Sequence, residues 1–410
     1  MSGIAGLRGS GDWGTDERPK SFRELILWRF PNGMTPLTGL MAKANKSAVS
    51  DAEFAWWDEA VDIFRLQVNG AHLSTDTTIN VDSLDPSAGS PANTYGTATN
   101  LKRGDLLQVE KVTETTTYDN EILEVDTVIS DTQFTVKRGR AGTTAAAIAD
   151  NLFLLLIGSS YAEGTPAADA VTRNPVKYLN YCQIFKTAYE ITGTAEVTTL
   201  RTGDPVQNDK KRKMRDHAIA LEQAMLWGGK AEVTGTNGKP LRTMGGIRSF
   251  IPARNVTIFG APVTTSSFLD AVSPIFDFQS DAGDERIALC GNGFLNELNK
   301  VIGGISSGIQ LGSVVTQYGL NLREIILPQG RLFLKTHPLF NRNTKYTKSA
   351  MILDFSSLRW RYTKGRDTKF EDNIQLPGED VRKGQWFTEG GIEVWYGGLT
   401  NGYIGNMSAT

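Results

Sequence analysis

Residues 204–229 read DPVQNDKKRKMRDHAIALEQAMLWGG, and this stretch decides how the rest of the chain is arranged. Asp204 offers a side-chain acceptor just before a helix. Pro205 suits the first helical position, where its missing N–H would have had no partner, and Gly228 and Gly229 stop the run. Met214, Ala218, Leu221 and Met225 recur at i, i+4, i+7 and i+11, which puts them on one face that packs on something. At about 1.5 Å per residue the helix runs on the order of 35 Å, long enough to act as a spine. Lys210, Lys211, Arg212, Lys213 and Arg215 crowd its first turns. Cations at the positive end of a helix dipole cost roughly a few tenths of a kcal/mol each unless compensated. The run therefore reads either as a solvated face or as a contact with nucleic acid or with acidic groups of a neighbouring chain.

With 410 residues, 40% of them hydrophobic, the chain has material for two or three domains with real cores. A formal net charge of −2 argues against a surface dedicated to nucleic acid, so any basic function is local. The two cysteines, Cys182 and Cys290, lie far apart with no second thiol or histidine at ligand spacing, and read as small core residues. The N-terminal MSGIAGLRGSGDWGTDERPK has neither the apolar core of an export signal nor a basic amphipathic pattern, so a cytosolic chain is expected. Leu152 to Ile157, the longest apolar run, falls far short of the roughly 20 residues that span a membrane.

Upstream of the spine, residues 1–20 are rich in glycine and charge and read as an arm, with FRELILWRF at 22–30 as an apolar anchor ended by Pro31-Asn32-Gly33. EFAWWDEAVDIFRLQV at 53–68 is read as extended. The turn-rich SLDPSAGSPANTYGTA at 83–98 leads into a self-contained β pattern, GDLLQVEKV, EILEVDTVI and TQFTVKRG, closed by NLFLLLIG. Extended character resumes in KYLNYCQIFKTAYEIT, so a small β unit sits between two strand-like flanks that are expected to pair with each other. Downstream, GKAEVTGTNGKPLRTMGG reads as a glycine-punctuated loop, followed by an α+β lobe with helices in SSFLDAVSPIFDF and GFLNELNKVIGG and strands in RIALCG, LREIILP and RLFLKTH. Glu389-Gly390-Gly391 reads as the turn of a C-terminal hairpin.

Catalytic motifs are weak. Gly9 to Gly14 fits G-x-G-x-x-G without the preceding strand a dinucleotide site needs, and the loop at Gly238-Lys239-Pro240 lacks the hydroxyl of a phosphate loop. Gly304-Ile305-Ser306-Ser307-Gly308 fits G-x-S-x-G, with Glu324 and His337 in hydrolase order, but a helix rather than a strand precedes it. Glu53, Asp58, Glu59 and Asp62 among Phe54, Trp56 and Trp57 suit a contact surface better than a sugar cleft. His217 reads as a solvated or satisfied side chain within the helix.

Taken in order, PNGMTPLTGLM at 31–41, EFAWWDEAV at 53–61, GDLLQVE, FTVKRGRAGT, KYLNYCQIFKTAYEITGTAE, ALEQAMLWG and TEGGIEVWYGGLTNGYIGNM resemble tailed-phage major capsid proteins of the Hong Kong ninety-seven type fold, in a large-phage family with a β insertion. The resemblance implies an α+β subunit. It has an N-terminal arm at 1–50 and an extended loop at 51–200 carrying an inserted β domain at about 76–165. The spine helix and the first part of a peripheral domain follow at 201–250, then an axial domain at 251–337, and C-terminal strands at 338–410 complete both.

Such subunits self-assemble into an icosahedral shell of hexamers and pentamers enclosing double-stranded DNA, without enzymatic activity or cofactor. Copies of the chain and non-specifically held DNA are the expected partners, with scaffolding, portal and decoration proteins as candidates and no membrane. The expected location is the virion capsid, assembled in the cytoplasm of a bacterial host. Within this reading Lys210, Lys211, Arg212, Lys213 and Arg215 are candidate inner-surface or intersubunit contacts, and Phe54, Trp56 and Trp57 a candidate extended-loop interface. An encapsulin-like nanocompartment shell is the alternative; a serine hydrolase using Ser306 is the distant one.

Overall fold

The computed structural model describes residues 34–43, 46–59, 65–82, 97–111, 120–172, 175–198, 200, 202–303, 310–317 and 320–409. The helix expected from the opening stretch spans Pro205–Trp227, with the Asp204 carboxylate accepting from the N–H groups of Val206 and Gln207. Its inward face is the expected one in part: Leu221 and Met225 are buried and Ala218 is half-buried, but Met214 is 54% exposed, and Val206, His217, Leu226 and the charged Glu222 are buried as well. Polar residues hold the places an apolar count assigns to carbon, so the face lies to one side of the sequence pattern.

The helix lies against a five-stranded sheet. Lys46–Val49 runs parallel to Leu358–Thr363, which pairs antiparallel with Val381–Val394; that long strand also pairs with Gln183–Thr192 and the short Lys369–Glu371. Gln183–Thr192 is thus part of this sheet rather than of an extended loop. The expected hairpin turn at Glu389-Gly390-Gly391 does not exist, because these residues are inside the continuous 14-residue strand. Close approach explains the two glycines. A Cβ on Gly390 would stand 2.5 Å from the Trp360 ring, and one on Gly391 would stand 2.4 Å from the Tyr181 carbonyl oxygen.

A second lobe is built on a seven-stranded sheet in the order Val256–Ile258, Gly402–Gly405, Ala350–Leu353, Glu285–Cys290, Gly330–Thr336, Leu320–Leu327, Gln310–Gln317. Its inner strands read as unbroken apolar runs because both faces are covered. Ile287, Leu289, Phe333, Met351 and Leu353 join the core shared with the spine helix. Their neighbours Ala288, Cys290, Leu334, Ala350 and Ile352 join a second core with Phe268 of helix Thr265–Val272 and Phe294 and Leu298 of helix Asn292–Gly303.

Two further β units stand apart. The flanks pair as expected: Glu53–Asp58 runs antiparallel to Val176–Tyr181 as a two-stranded ribbon. Beyond it lies a six-stranded sheet, ordered Arg65–Gln67, Phe153–Ser159, Asp105–Glu110, Ile122–Val128, Gln133–Arg140, Thr78–Asn80. A bridge between Val68 and Val81, with Asn69 N–H on Asn80 O at 2.9 Å and Asp82 N–H on Gln67 O at 2.9 Å, joins the two end strands and closes the sheet into a barrel. Leu66, Val68, Ile79, Leu107, Leu123 and Phe134 fill it. The barrel therefore starts upstream of the expected residue 76: Arg65–Gln67 is too short to show a period, yet it supplies Leu66 and a closing edge. The glycine-punctuated stretch after the spine forms a small hairpin, Ala231–Thr234 with Pro240–Thr243.

Candidate assembly site

A buried carboxylate joins three parts of the molecule. Glu222, fully buried on the spine helix, accepts from the N–H groups of Leu37 at 2.8 Å and Thr38 at 2.5 Å, from the Thr38 hydroxyl at 2.6 Å, and from His337 Nε2 at 2.7 Å. Leu37 and Thr38 lie in the first turn of helix Pro36–Lys43, so Glu222 does from outside what an N-cap side chain does from within. His337 Nδ1 accepts from Leu339 N–H and caps helix Pro338–Arg342 in the same manner. With Nδ1 an acceptor, Nε2 is the ring nitrogen that donates to Glu222. N-terminal segment, spine helix and second lobe thus meet at one charge satisfied by four donors.

One turn earlier His217 fastens the helix to the five-stranded sheet. Its Nδ1 lies 3.1 Å from the Thr187 hydroxyl and its Nε2 2.8 Å from the Thr388 hydroxyl, which in turn bonds Thr368 at 2.9 Å. Burial lowers its pKa below the ordinary histidine value, so the ring is neutral in the fold. His217 is the satisfied side chain that its place in the helix suggested. The roles of Glu222 and His337 went unread; the available signal was a glutamate interrupting the apolar run ALEQAML.

The basic run divides. Lys210 Nζ sits 3.6 Å from the Phe370 ring centroid, over an aromatic cluster completed by Tyr189 and Trp386, so Lys210 faces its own sheet and not an outside partner. Arg212 pairs with Asp209 at 2.6 Å and Lys213 with Asp216 at 3.9 Å; Lys211 is exposed and Arg215 half-buried. The electrostatic cost inferred from the sequence is therefore partly met within the helix.

The aromatic trio also divides. Phe54 and Trp56 are buried against Tyr178 and Phe250, with Trp56 ring centroids at 6.0 and 5.7 Å from theirs respectively, because alternate residues of the ribbon face the subunit. They are not available to a neighbour. Trp57, on the opposite face, is 64% exposed.

The hydrolase motif at 304–308, including Ser306, and the glycine motif at 9–14 lie outside the described residues, as do residues 1–33 of the arm. Glu324 pairs with Arg331, while His337 is held by Glu222, so these two do not form an acid–base pair. Among the described residues no group of three or more His, Cys, Asp or Glu is placed to hold a metal, and no helix is long and apolar enough to cross a membrane.

A spine helix over one sheet, a second sheeted lobe, and a ribbon bearing a closed barrel together make a mixed α+β architecture, the fold class that the Hong Kong ninety-seven type resemblance implies. The chain belongs to the SU10 major capsid protein family, whose model matches residues 12–397. It is a structural capsid shell protein of the bacteriophage virion that assembles from copies of itself. The major capsid protein of Pseudomonas phage PaMx41 is 27% identical over 392 residues, covering 93% of this chain and 88% of that one. Similar solved structures include the capsid of a native GTA particle (TM-score 0.45, 8% identity, 99% of this chain and 100% of that chain) and a structure from Mycobacterium phage Bobi (TM-score 0.44, 7% identity, 95% of each). An encapsulin of Synechococcus elongatus gives a TM-score of 0.41 at 8% identity over 59% of this chain and 79% of that chain.

Proposed function

We propose that this subunit forms the hexamers and pentamers of an icosahedral shell around double-stranded DNA, assembled in the host cytoplasm with the help of separate scaffolding and portal proteins. The five-stranded sheet with the spine helix is read as the peripheral domain, the lobe on the seven-stranded sheet as the axial domain, and the ribbon with its barrel as the extended loop. The observation that carries this reading is the ribbon itself. Glu53–Asp58 and Val176–Tyr181 form a sheet of only two strands that carries a whole barrel, with Trp57 facing solvent. The Phe54 and Trp56 face of the ribbon is covered by its own subunit, so the face that bears Trp57 is the one left for a surface on another subunit.

For the inner surface the reading rests on Lys211, Arg212, Lys213 and Arg215, since Lys210 is used within the subunit. Neutralising these four together is expected to lower the DNA retained by purified particles as salt rises, measured as nucleic acid per particle between low and physiological salt. Identical retention at every salt concentration would make the run a solvated face.

A further inference from the structure

The hairpin Ala231–Thr234 with Pro240–Thr243 is rooted at the C-terminal end of the spine helix, where the Thr243 hydroxyl bonds Gly229 O at 2.7 Å. Every residue of its first strand is exposed, and no third strand pairs with it among the described residues. Val233 and Leu241 are directly opposed in register and 54% and 55% exposed, an apolar pair left uncovered by the described residues. Around them stand Lys230, Lys239 and Arg242 against a single acid, Glu232, which Arg242 pairs at 2.8 Å.

The other end of the spine helix carries the opposite surface. Loop residues 372–380, DNIQLPGED, hold three acids and no base, with Leu376 67% exposed, while Glu371 just before them ends a strand and pairs with Lys369 at 2.6 Å. Gly193 N–H on Asp380 O at 3.1 Å, and Arg382 bridging Glu196 and Asp372, tie this loop to the approach of the helix N-terminus. Beside it opens a cleft of about 500 Å³ lined by Glu196, Val197, Leu200, Pro205, Val206 and Arg382, with Val197 81% exposed.

We propose that the basic, apolar hairpin of one copy docks on the apolar cleft of the next and against the acidic loop beside it, a head-to-tail contact that repeats around a ring. Apolar groups meet apolar groups and the rims are of opposite charge. A helix of 23 residues separates the two surfaces by about 34 Å at 1.5 Å per residue, so they cannot meet within one chain. Different patches meeting between identical copies make a heterologous interface, which closes into rings when the rotation permits. The proposal rests on the self-assembly reading and specifies one of its contacts.

The test places cysteines at both surfaces of the full chain, Val197→Cys with Leu241→Cys, and separately Leu376→Cys with Leu241→Cys. The native Cys182 and Cys290 are buried and do not compete. Assembled particles treated with a mild oxidant are expected to give a ladder of covalent multimers on a denaturing gel, absent from each single-cysteine chain. In parallel, Lys230→Glu with Lys239→Glu is expected to reduce assembly at least tenfold at low salt, and adding Glu379→Lys with Asp380→Lys to restore it. Particles that form normally with neither a ladder from either pair nor any response to the charge changes would overturn the docking. A wild-type chain that never assembles would instead overturn the shell reading.

Discussion

Four donors converge on the buried Glu222, and its worth follows from what its loss would strand. Glu222→Gln keeps one acceptor but turns an amide N–H₂ toward donors of the first turn of helix Pro36–Lys43. Leaving buried donors unpaired costs on the order of 2–4 kcal/mol, so the midpoint of urea unfolding of the unassembled chain should fall accordingly, with Thr38→Val costing less. A neutral Glu222→Gln would show that the helix is held by apolar packing of Leu37 and Met41 alone.

His217 makes a separate prediction. Its folded pKa is depressed below 6.5, so on acidification the unfolded chain takes up the proton first. Stability from this site is full above about pH 6.5 and is lost as pH falls from there through the folded pKa. His217→Asn should lower stability at pH 8 and flatten this acid limb in thermal unfolding; an unchanged limb would assign the acid sensitivity to other groups. A satisfied His217 was one of the two readings its place in the helix offered, but the partners of neither residue were legible, because a lone His or Glu in a helix shows none until the helix Pro36–Lys43, His337 and the strands carrying Thr187 and Thr388 are placed around it.

At the level of elements, the sequence was most readable where local chemistry acts alone. Asp204, Pro205 and Gly228 bound the spine helix as their capping preferences require, and the apolar runs RIALC and RLFLKT are strands as read. Local chemistry failed where a distant neighbour decided. Glu389-Gly390-Gly391 has the composition of a turn, but the glycines lie in a strand because Trp360, Phe54 and the Tyr181 carbonyl crowd it from both faces. Gly391→Ala is thus expected to cost about 1–3 kcal/mol by overpacking and to disturb the root of the ribbon, read as a fall in thermal midpoint and faster proteolysis between residues 54 and 181. A substitution without effect on either would show that the strand shifts freely. Met214 was misplaced for a related reason: Lys210 and His217 occupy the inward face through polar and cation–π contacts, which an apolar pattern does not register. Arg65–Gln67 escaped the barrel because three residues carry no period, although barrel closure through Val68 and Val81 depends on where they lead.

For the whole molecule, the division into lobes follows from where the cores lie. One core joins the spine helix, the five-stranded sheet and one face of the seven-stranded sheet, so the two lobes behave as one body. The barrel has its own core and is joined through the two-stranded ribbon. A body that places a ribbon, an apolar hairpin and a cleft beside an acidic loop at its margins is suited to meeting copies of itself, in keeping with its family. The overall order of elements was legible because each lies in one stretch of chain; the surfaces were not, because exposure is a property of the finished fold. Electron microscopy of the purified full chain, expressed with a scaffolding protein and held at high concentration under assembling conditions, tests the central claim most directly. The account predicts closed icosahedral shells with hexameric and pentameric units, and a population that remains monomeric and compact under those conditions would contradict it.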